Sequence, residues 1–140
     1  MSDSLHLHAS CVALAGRGVL IIGASGSGKS GLALQLMALG AQLVSDDGTV
    51  LRVQDGVPVA SAPDSIRGMI EARGVGLLAA DTCAAVPVVL VVDLDQTETD
   101  RLPPDRKTQL LGQEVPVVHN SVFPHFPAAI LQYLKGGRRA

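Results

Sequence analysis

The chain has 140 residues, 47% of them hydrophobic and 17% charged, with a formal net charge of −2. That length and balance suit one domain with a working core, and the charge argues against a polyanion-binding surface. Aromatic residues make up only 2%, so the core must be filled by Leu, Val, Ile and Ala. Cys11 and Cys83 lack the spacing of a zinc site or a redox pair. They read as reduced core thiols in a cytoplasmic protein. Residues 1–8 show no basic segment followed by an apolar run, so no secretory signal is expected. The longest apolar stretch, residues 84–92, is too short to span a bilayer. Lys135, Arg138 and Arg139 form the only basic cluster and read as a solvated tail. One cytoplasmic domain over residues 1–140 is the expectation, with no membrane or nucleic-acid partner.

In chain order, Leu5-His6-Leu7-His8 alternates and residues 11–14 are apolar, which predicts a first strand containing His8. Gly16-Arg17-Gly18 reads as a turn. The short apolar run at residues 19–22 suits a strand buried on both faces. Residues 32–39 predict a helix of good formers, stopped by Gly40. Residues 41–45 predict a strand ending at Asp46-Asp47-Gly48. Residues 50–53 and 57–60 flank Gln54-Asp55-Gly56, the pattern of a hairpin with an Asp-Gly turn. Pro63 suits the start of a short helix or turn. Residues 67–76, glycine-rich and charged, read as a functional loop. Residues 87–93 predict another buried strand, residues 96–106 a polar loop and residues 115–118 a strand. Residues 127–134 predict a closing helix stopped by Gly136-Gly137. The whole predicts an α/β layer fold with a mixed sheet and flanking helices.

Gly23-Ala24-Ser25-Gly26-Ser27-Gly28-Lys29-Ser30 fits G-x-x-x-x-G-K-[ST] at every fixed position. Glycines there let successive backbone N–H groups converge on one anion. The following helix adds its unpaired N–H groups and the positive end of its dipole. Lys29 supplies a point charge for the β- and γ-phosphates, and the Ser30 hydroxyl can ligate a bridging Mg²⁺. An apolar strand before the motif and a helix after it are the context a P-loop needs. The pattern predicts binding of a purine nucleotide with a divalent cation.

Asp46-Asp47 falls at the end of the strand after the P-loop helix, where a parallel α/β sheet places its ligand crevice. Such acids can hold a metal, accept a hydroxyl proton, or both; the structural alternative is an Asx turn into Gly48. Glu71 and Arg73, two apart, point the same way along an extended segment. They suit a metal and a transferred phosphoryl group, or a plain surface ion pair. His6, His119 and His125 have no metal-binding spacing, and His8, in an apolar strand, reads as structural.

The combined pattern resembles the C-terminal, catalytic domain of HPr kinase/phosphorylase. The resemblance is carried by His8, the strand at residues 18–22, the P-loop, Asp46-Asp47 and Glu71-x-Arg73-Gly74-x-Gly76. Asp100-Arg101-Leu102 and Lys107-Thr108-Gln109-Leu110-Leu111-Gly112 follow in the family's order, up to about Val118. It implies a P-loop kinase fold akin to phosphoenolpyruvate carboxykinase, commonly hexameric. It implies a protein-serine kinase acting on HPr, the phosphocarrier of the sugar phosphotransferase system. ATP (or pyrophosphate) is the implied donor, Mg²⁺ the implied cofactor, and phosphorolysis the reverse activity of many members. Lys29 becomes a catalytic phosphate contact, and Ser30 and Glu71 become Mg²⁺ ligands. Asp47 becomes the proton acceptor with Asp46 beside it; His8, Arg73 and Arg101 become further active-site members.

Three departures bear on activity. The family's N-terminal domain is missing from the sequence, which would remove a regulatory module. Ala24 stands where Asp is common, and Gly31 where Glu is common. Residues 121–127, Ser-Val-Phe-Pro-His-Phe-Pro, replace a Pro-Gly-Arg-Asn-like loop and contain no arginine. That loop is associated with dephosphorylation, so kinase activity is expected ahead of phosphorylase activity. The short, single-domain form resembles those of α-proteobacteria. Two other functions fit the P-loop. One is a small-molecule kinase or nucleoside triphosphatase, which turns over without a protein substrate. The other is a nucleotide-sensing interaction module with weak catalysis.

Overall fold

The computed structural model describes residues 4–140. Residues 1–3, the start of the stretch read for a secretory signal and of the expected domain, lie outside the described residues. The first strand is two strands, β1 (Ser4–Leu7) and β2 (Ser10–Leu14), with His8 exposed at the bend between them. β3 (Arg17–Ile22) leads into the P-loop and then α1 (Lys29–Ala38). β4 (Gln42–Ser45), β5 (Thr49–Gln54) and β6 (Val57–Ser61) follow where the apolar runs predict them. Asp55 and Gly56 both have positive φ, 52° and 76°, which makes the β5–β6 connection the two-residue turn that the Asp-Gly pair favours. Pro63 precedes one 3₁₀ turn at Asp64–Ile66.

Residues 67–76 are not an irregular loop. Most of them build a hairpin of β7 (Met69–Ala72) and β8 (Gly76–Ala79), a separate two-stranded sheet. Ile70, 1% exposed, anchors it in the core, and strand alternation turns Glu71 the other way. β9 (Val86–Thr97) extends well past Asp93, into the segment expected to be loop. β10 (Lys107–Leu110) is an additional strand that pairs with β11 (Gln113–Asn120) across Leu111-Gly112, a second turn with two positive φ values. α2 (Phe126–Gly136) closes the chain and stops at the Gly136-Gly137 pair, with Gly137 as its C-cap.

β9 organises the large mixed sheet, whose order is β1-β5-β6-β9-β3-β2-β4. Its first residues pair antiparallel with β6, its middle pairs parallel with β3, and its end pairs parallel with β11. Three parallel strands therefore deliver their carboxyl ends to one edge: β3, β9 and β11. The sheet buries both faces. Val12, Val19, Ile21, Leu43 and Leu90 pack with Leu36 of α1 and Ile130, Leu131 and Leu134 of α2. Cys11, Leu20, Val44, Leu51, Val88 and Val91 form the opposite cluster. Arg17 ties the start of β3 to the end of α2, donating to the Leu134 carbonyl at 2.8 Å, where a helix end favours a cation. No helix among the described residues is long and apolar enough to cross a membrane.

Candidate functional site

The P-loop leaves β3 at Gly23, and the crowding there explains the residue. A Cβ on Gly23 would stand 2.5 Å from Ser27 Oγ and 3.2 Å from Leu94 Cβ, at φ +155°. At the other end Gly28, φ 101°, sits at the N-cap of α1, a conformation that a side chain would strain. Leu32 N is the first helical donor with a helical acceptor, Gly28 O at 3.0 Å. The N–H groups of Lys29, Ser30 and Gly31 are therefore left over, and α1 has no acidic residue in its first turn. The result is a concave set of donors at the positive end of a helix. Lys29 is 6% exposed, and its ammonium donates to the Gly23 and Ala24 carbonyls at 3.0 Å each. The charge is thus held over the cradle by bonds that an incoming phosphate can replace.

Asp46 is the hub of the site. It is 8% exposed, and its Oδ1 accepts from Ser30 Oγ at 2.6 Å and from Ser10 Oγ at 3.0 Å. Its Oδ2 accepts from the Glu71 backbone N–H at 3.0 Å. One carboxylate thereby joins α1, β2 and β7. Asp47 has a positive φ of 54°, which Asp tolerates better than most residues. Its N–H donates to Ser10 Oγ at 3.2 Å, and the Ser45 hydroxyl closes the same turn on the Gly48 carbonyl. Held this way, Asp47 lines a cleft of about 510 Å³ together with Ser25, Gly26, Gly28, Lys29, Ser30, Glu71 and Arg73. The cleft is a phosphate cradle facing two carboxylates and one guanidinium.

Most of the residues singled out from the sequence meet at this cleft: Lys29, Ser30, Asp47, Glu71 and Arg73 line it, and Asp46 braces it through Ser30. Ala24 and Gly23 hold Lys29 through their carbonyls, whereas Ser27 faces a neighbouring cleft. His8 and Arg101 are not among the lining residues. His8 is exposed at the β1–β2 bend, two residues before Ser10. Arg101 lines a separate cavity of about 510 Å³ with His119, His125, Tyr133 and Ile130.

Two residues of the site lie outside the motifs read from the sequence. Ser10, 0% exposed, holds Asp46 and Asp47 at once; its only trace is a hydroxyl in an apolar strand. Asp95 accepts the Ala24 N–H on both oxygens at 3.0 Å, and its own N–H donates to Asp93 Oδ1 at 2.9 Å. Asp95 pins Ala24, the second residue of the loop, to β9. The Asp93-Leu94-Asp95 alternation at the carboxyl end of a strand parallel to β3 is the signal that finds it.

Comparison with known proteins points the same way as the geometry. A family model described as the HPr Serine kinase C-terminal domain matches residues 1–125. An HPr kinase/phosphorylase of Exiguobacterium sibiricum is 36% identical, over 94% of this chain and 46% of its own length. One of Caldanaerobacter subterraneus is 33% identical over 94% of this chain and 47% of its own length. The chain thus spans less than half the length of these curated relatives. The solved structure of the Hpr(Ser) kinase/phosphatase from Coxiella burnetii superimposes with a TM-score of 0.80 at 27% identity, covering 94% of each chain.

Proposed function

The chain belongs to the HPr serine kinase C-terminal domain family, and on that premise we propose that it is an ATP-dependent protein-serine kinase acting on HPr. In this reading residues 1–140 are one cytoplasmic catalytic domain that regulates the phosphotransferase system, and the active form is an oligomer, a hexamer by the family resemblance. The observation that carries the proposal is the cleft itself: Asp47, Glu71 and Arg73 face the cradle built by Lys29, Ser30 and the first turn of α1. A phosphate site needs only the cradle; a transfer site needs a group that handles the nucleophile opposite it. Val75 and Leu77, 76% and 66% exposed, add apolar surface on the hairpin that carries Glu71, and that surface suits a protein acceptor.

The donor set fits Mg²⁺. Ser30 Oγ and Asp46 Oδ1 lie 2.6 Å apart, an oxygen-only pair at the foot of the cradle. Mg²⁺ prefers one or two carboxylates plus phosphate oxygens and water over an all-protein cage. Accordingly, no cluster of three or more metal-ligating acids, histidines or cysteines is needed, and none is present among the described residues. Ser30, with Asp46 behind it and Glu71 beside it, would hold the ion. Bound there, the ion neutralises charge on the β- and γ-phosphates.

The chain's own residues do the rest. The free N–H groups of α1 and Lys29 hold the phosphates in place, and Arg73 offers a guanidinium to the transferred group. Asp47 takes the proton of the seryl hydroxyl as the new O–P bond forms and the bond to the β-phosphate oxygen breaks, leaving ADP. Residues 121–127 carry no arginine, which favours the kinase direction over phosphorolysis. The test is transfer from γ-phosphate-labelled ATP to purified HPr in Mg²⁺. Label on a seryl residue of HPr, absent with Lys29→Ala, is the expected result. Phosphate released at the same rate with and without HPr would point instead to a simple nucleoside triphosphatase.

A further inference from the structure

Asp46 and Asp47 follow β4 and lie on the β2 and β4 side of β3; β9 and β11 lie on the other side. The terminal phosphate belongs with the acids, so the rest of a nucleotide must leave the cradle in the opposite direction. That direction leads to the carboxyl ends of β9 and β11, the edge where parallel α/β sheets place their ligands.

A second cleft of about 340 Å³ lies there. It is bounded by Ser27, Gly28, Gly31 and Gln35 on the α1 side, and by Asn120 at the end of β11 and Phe123 after it. Gly28 and Gly31 also line the phosphate cleft, so the two clefts adjoin across residues that carry no side chain. A Cβ built on either glycine meets nothing within 4 Å, so the way between the clefts is open.

Phe123 is 61% exposed although it is a large aromatic residue. Its ring stacks on His125 at 5.4 Å with 14° between planes; His125 lines the larger cavity, and Phe123 stands between that cavity and this cleft, lining both. The segment is tied down, with Phe123 N on Ser121 Oγ at 3.3 Å and Phe126 N on Phe123 O at 3.0 Å. A fixed aromatic plane costs little ordering entropy when a flat ligand meets it.

We infer that this second cleft holds the nucleoside of the phosphate donor, with the base against Phe123 and the amides of Gln35 and Asn120 at its polar edge. The inference rests on the kinase reading above, since it supplies the other end of the nucleotide that the cradle holds. Base–aromatic stacking and amide hydrogen bonds are the interactions that such a set of residues makes.

The test compares ATP with inorganic tripolyphosphate, each titrated calorimetrically with Mg²⁺ into the native protein, Phe123→Ala and Gln35→Ala. Tripolyphosphate keeps the charge and lacks the nucleoside. The expected result is ATP binding weakened roughly tenfold by Phe123→Ala, with tripolyphosphate affinity unchanged. Gln35→Ala should show a smaller loss of the same kind. Unchanged ATP affinity in both variants overturns the inference, as does equal loss of ATP and tripolyphosphate. Native protein that binds tripolyphosphate as tightly as ATP overturns it alone and leaves the phosphate cradle standing. Native protein that binds neither overturns the cradle and the inference together.

Discussion

Replacing Asp46 with Ala deprives three donors of their acceptor: Ser30 Oγ, Ser10 Oγ and the Glu71 N–H. Ser30 is half-buried at the cleft, and its hydroxyl can turn to water. Ser10 is fully buried, and the Glu71 N–H points inward at Asp46, so neither recovers as easily. Each unsatisfied buried donor costs about 1–3 kcal/mol, which puts Asp46→Ala near 4 kcal/mol. Asp46→Asn is a different case. The amide oxygen can keep the Glu71 N–H, and both serine hydroxyls can rotate to accept from the amide nitrogen, which leaves only the buried Ser10 O–H without an acceptor. One orphaned donor instead of two puts Asp46→Asn near 2 kcal/mol. Urea unfolding reads the difference. With an m-value near 2 kcal/mol/M, the Ala midpoint should fall about 2 M below native and the Asn midpoint about 1 M below. Equal midpoints for the two variants, or an Ala midpoint at the native value, would refute the claim that this carboxylate holds α1, β2 and β7 together.

Gly18→Ala would place a Cβ 2.8 Å from Val86 Cγ2 and 2.9 Å from the Pro87 carbonyl oxygen, inside the β3–β9 pairing. It should cost about 1–3 kcal/mol in the same assay, whereas Gly31→Ala, in open space on a helix, should add about 0.5–1 kcal/mol. The Arg106 guanidinium, hydrogen-bonded to Glu98, draws that carboxyl down from 4.5 to about 2. The lowered value means that Glu98 stabilises the fold above the ordinary carboxylate range and loses that contribution as pH falls toward 2. The stability gap between native protein and Glu98→Gln should therefore close across that window; a gap constant from neutral pH to pH 2 would contradict it. Burial pushes the Cys11 thiol far up, and Cys83 is raised less and only half-buried. A thiol-alkylating reagent at mildly alkaline pH should modify Cys83 and leave Cys11 unmodified until the protein unfolds.

The phosphate cradle was legible because its chemistry is local. A glycine that must avoid Ser27 and a lysine six residues later fall within eight consecutive residues. The hairpin at residues 50–60 was legible for a similar reason, since its turn needs two positive φ values that Asp-Gly supplies. The β7–β8 hairpin was hidden because charge and glycine content at residues 67–76 outweighed one buried residue, Ile70. The same glycines that suggested a loop are what the turn at Gly74 and the start of β8 use. β9 was cut short because Asp93, Asp95 and Gln96 look like a strand end, although pairing with β11 carries the strand on to Thr97. Ser10 was beyond reach, because its partners are 36 and 37 residues away and nothing in one sequence links them. The cleft collected Lys29, Ser30, Asp47, Glu71 and Arg73, while His8 and Arg101 owe their place among the candidates to family resemblance and lie outside its lining.

The central claim is that the cleft transfers a phosphoryl group with Asp47 as the proton acceptor. The measurement that tests it most directly pairs two quantities on Asp47→Asn: the rate of seryl labelling on HPr from γ-phosphate-labelled ATP, and the affinity for ATP with Mg²⁺. Asn keeps the size and tolerates the positive φ at that position. Loss of the base should lower the labelling rate by about 10²–10⁴-fold while ATP affinity stays at the native value. A labelling rate that survives the substitution would contradict the account, and so would one that falls only in step with ATP affinity.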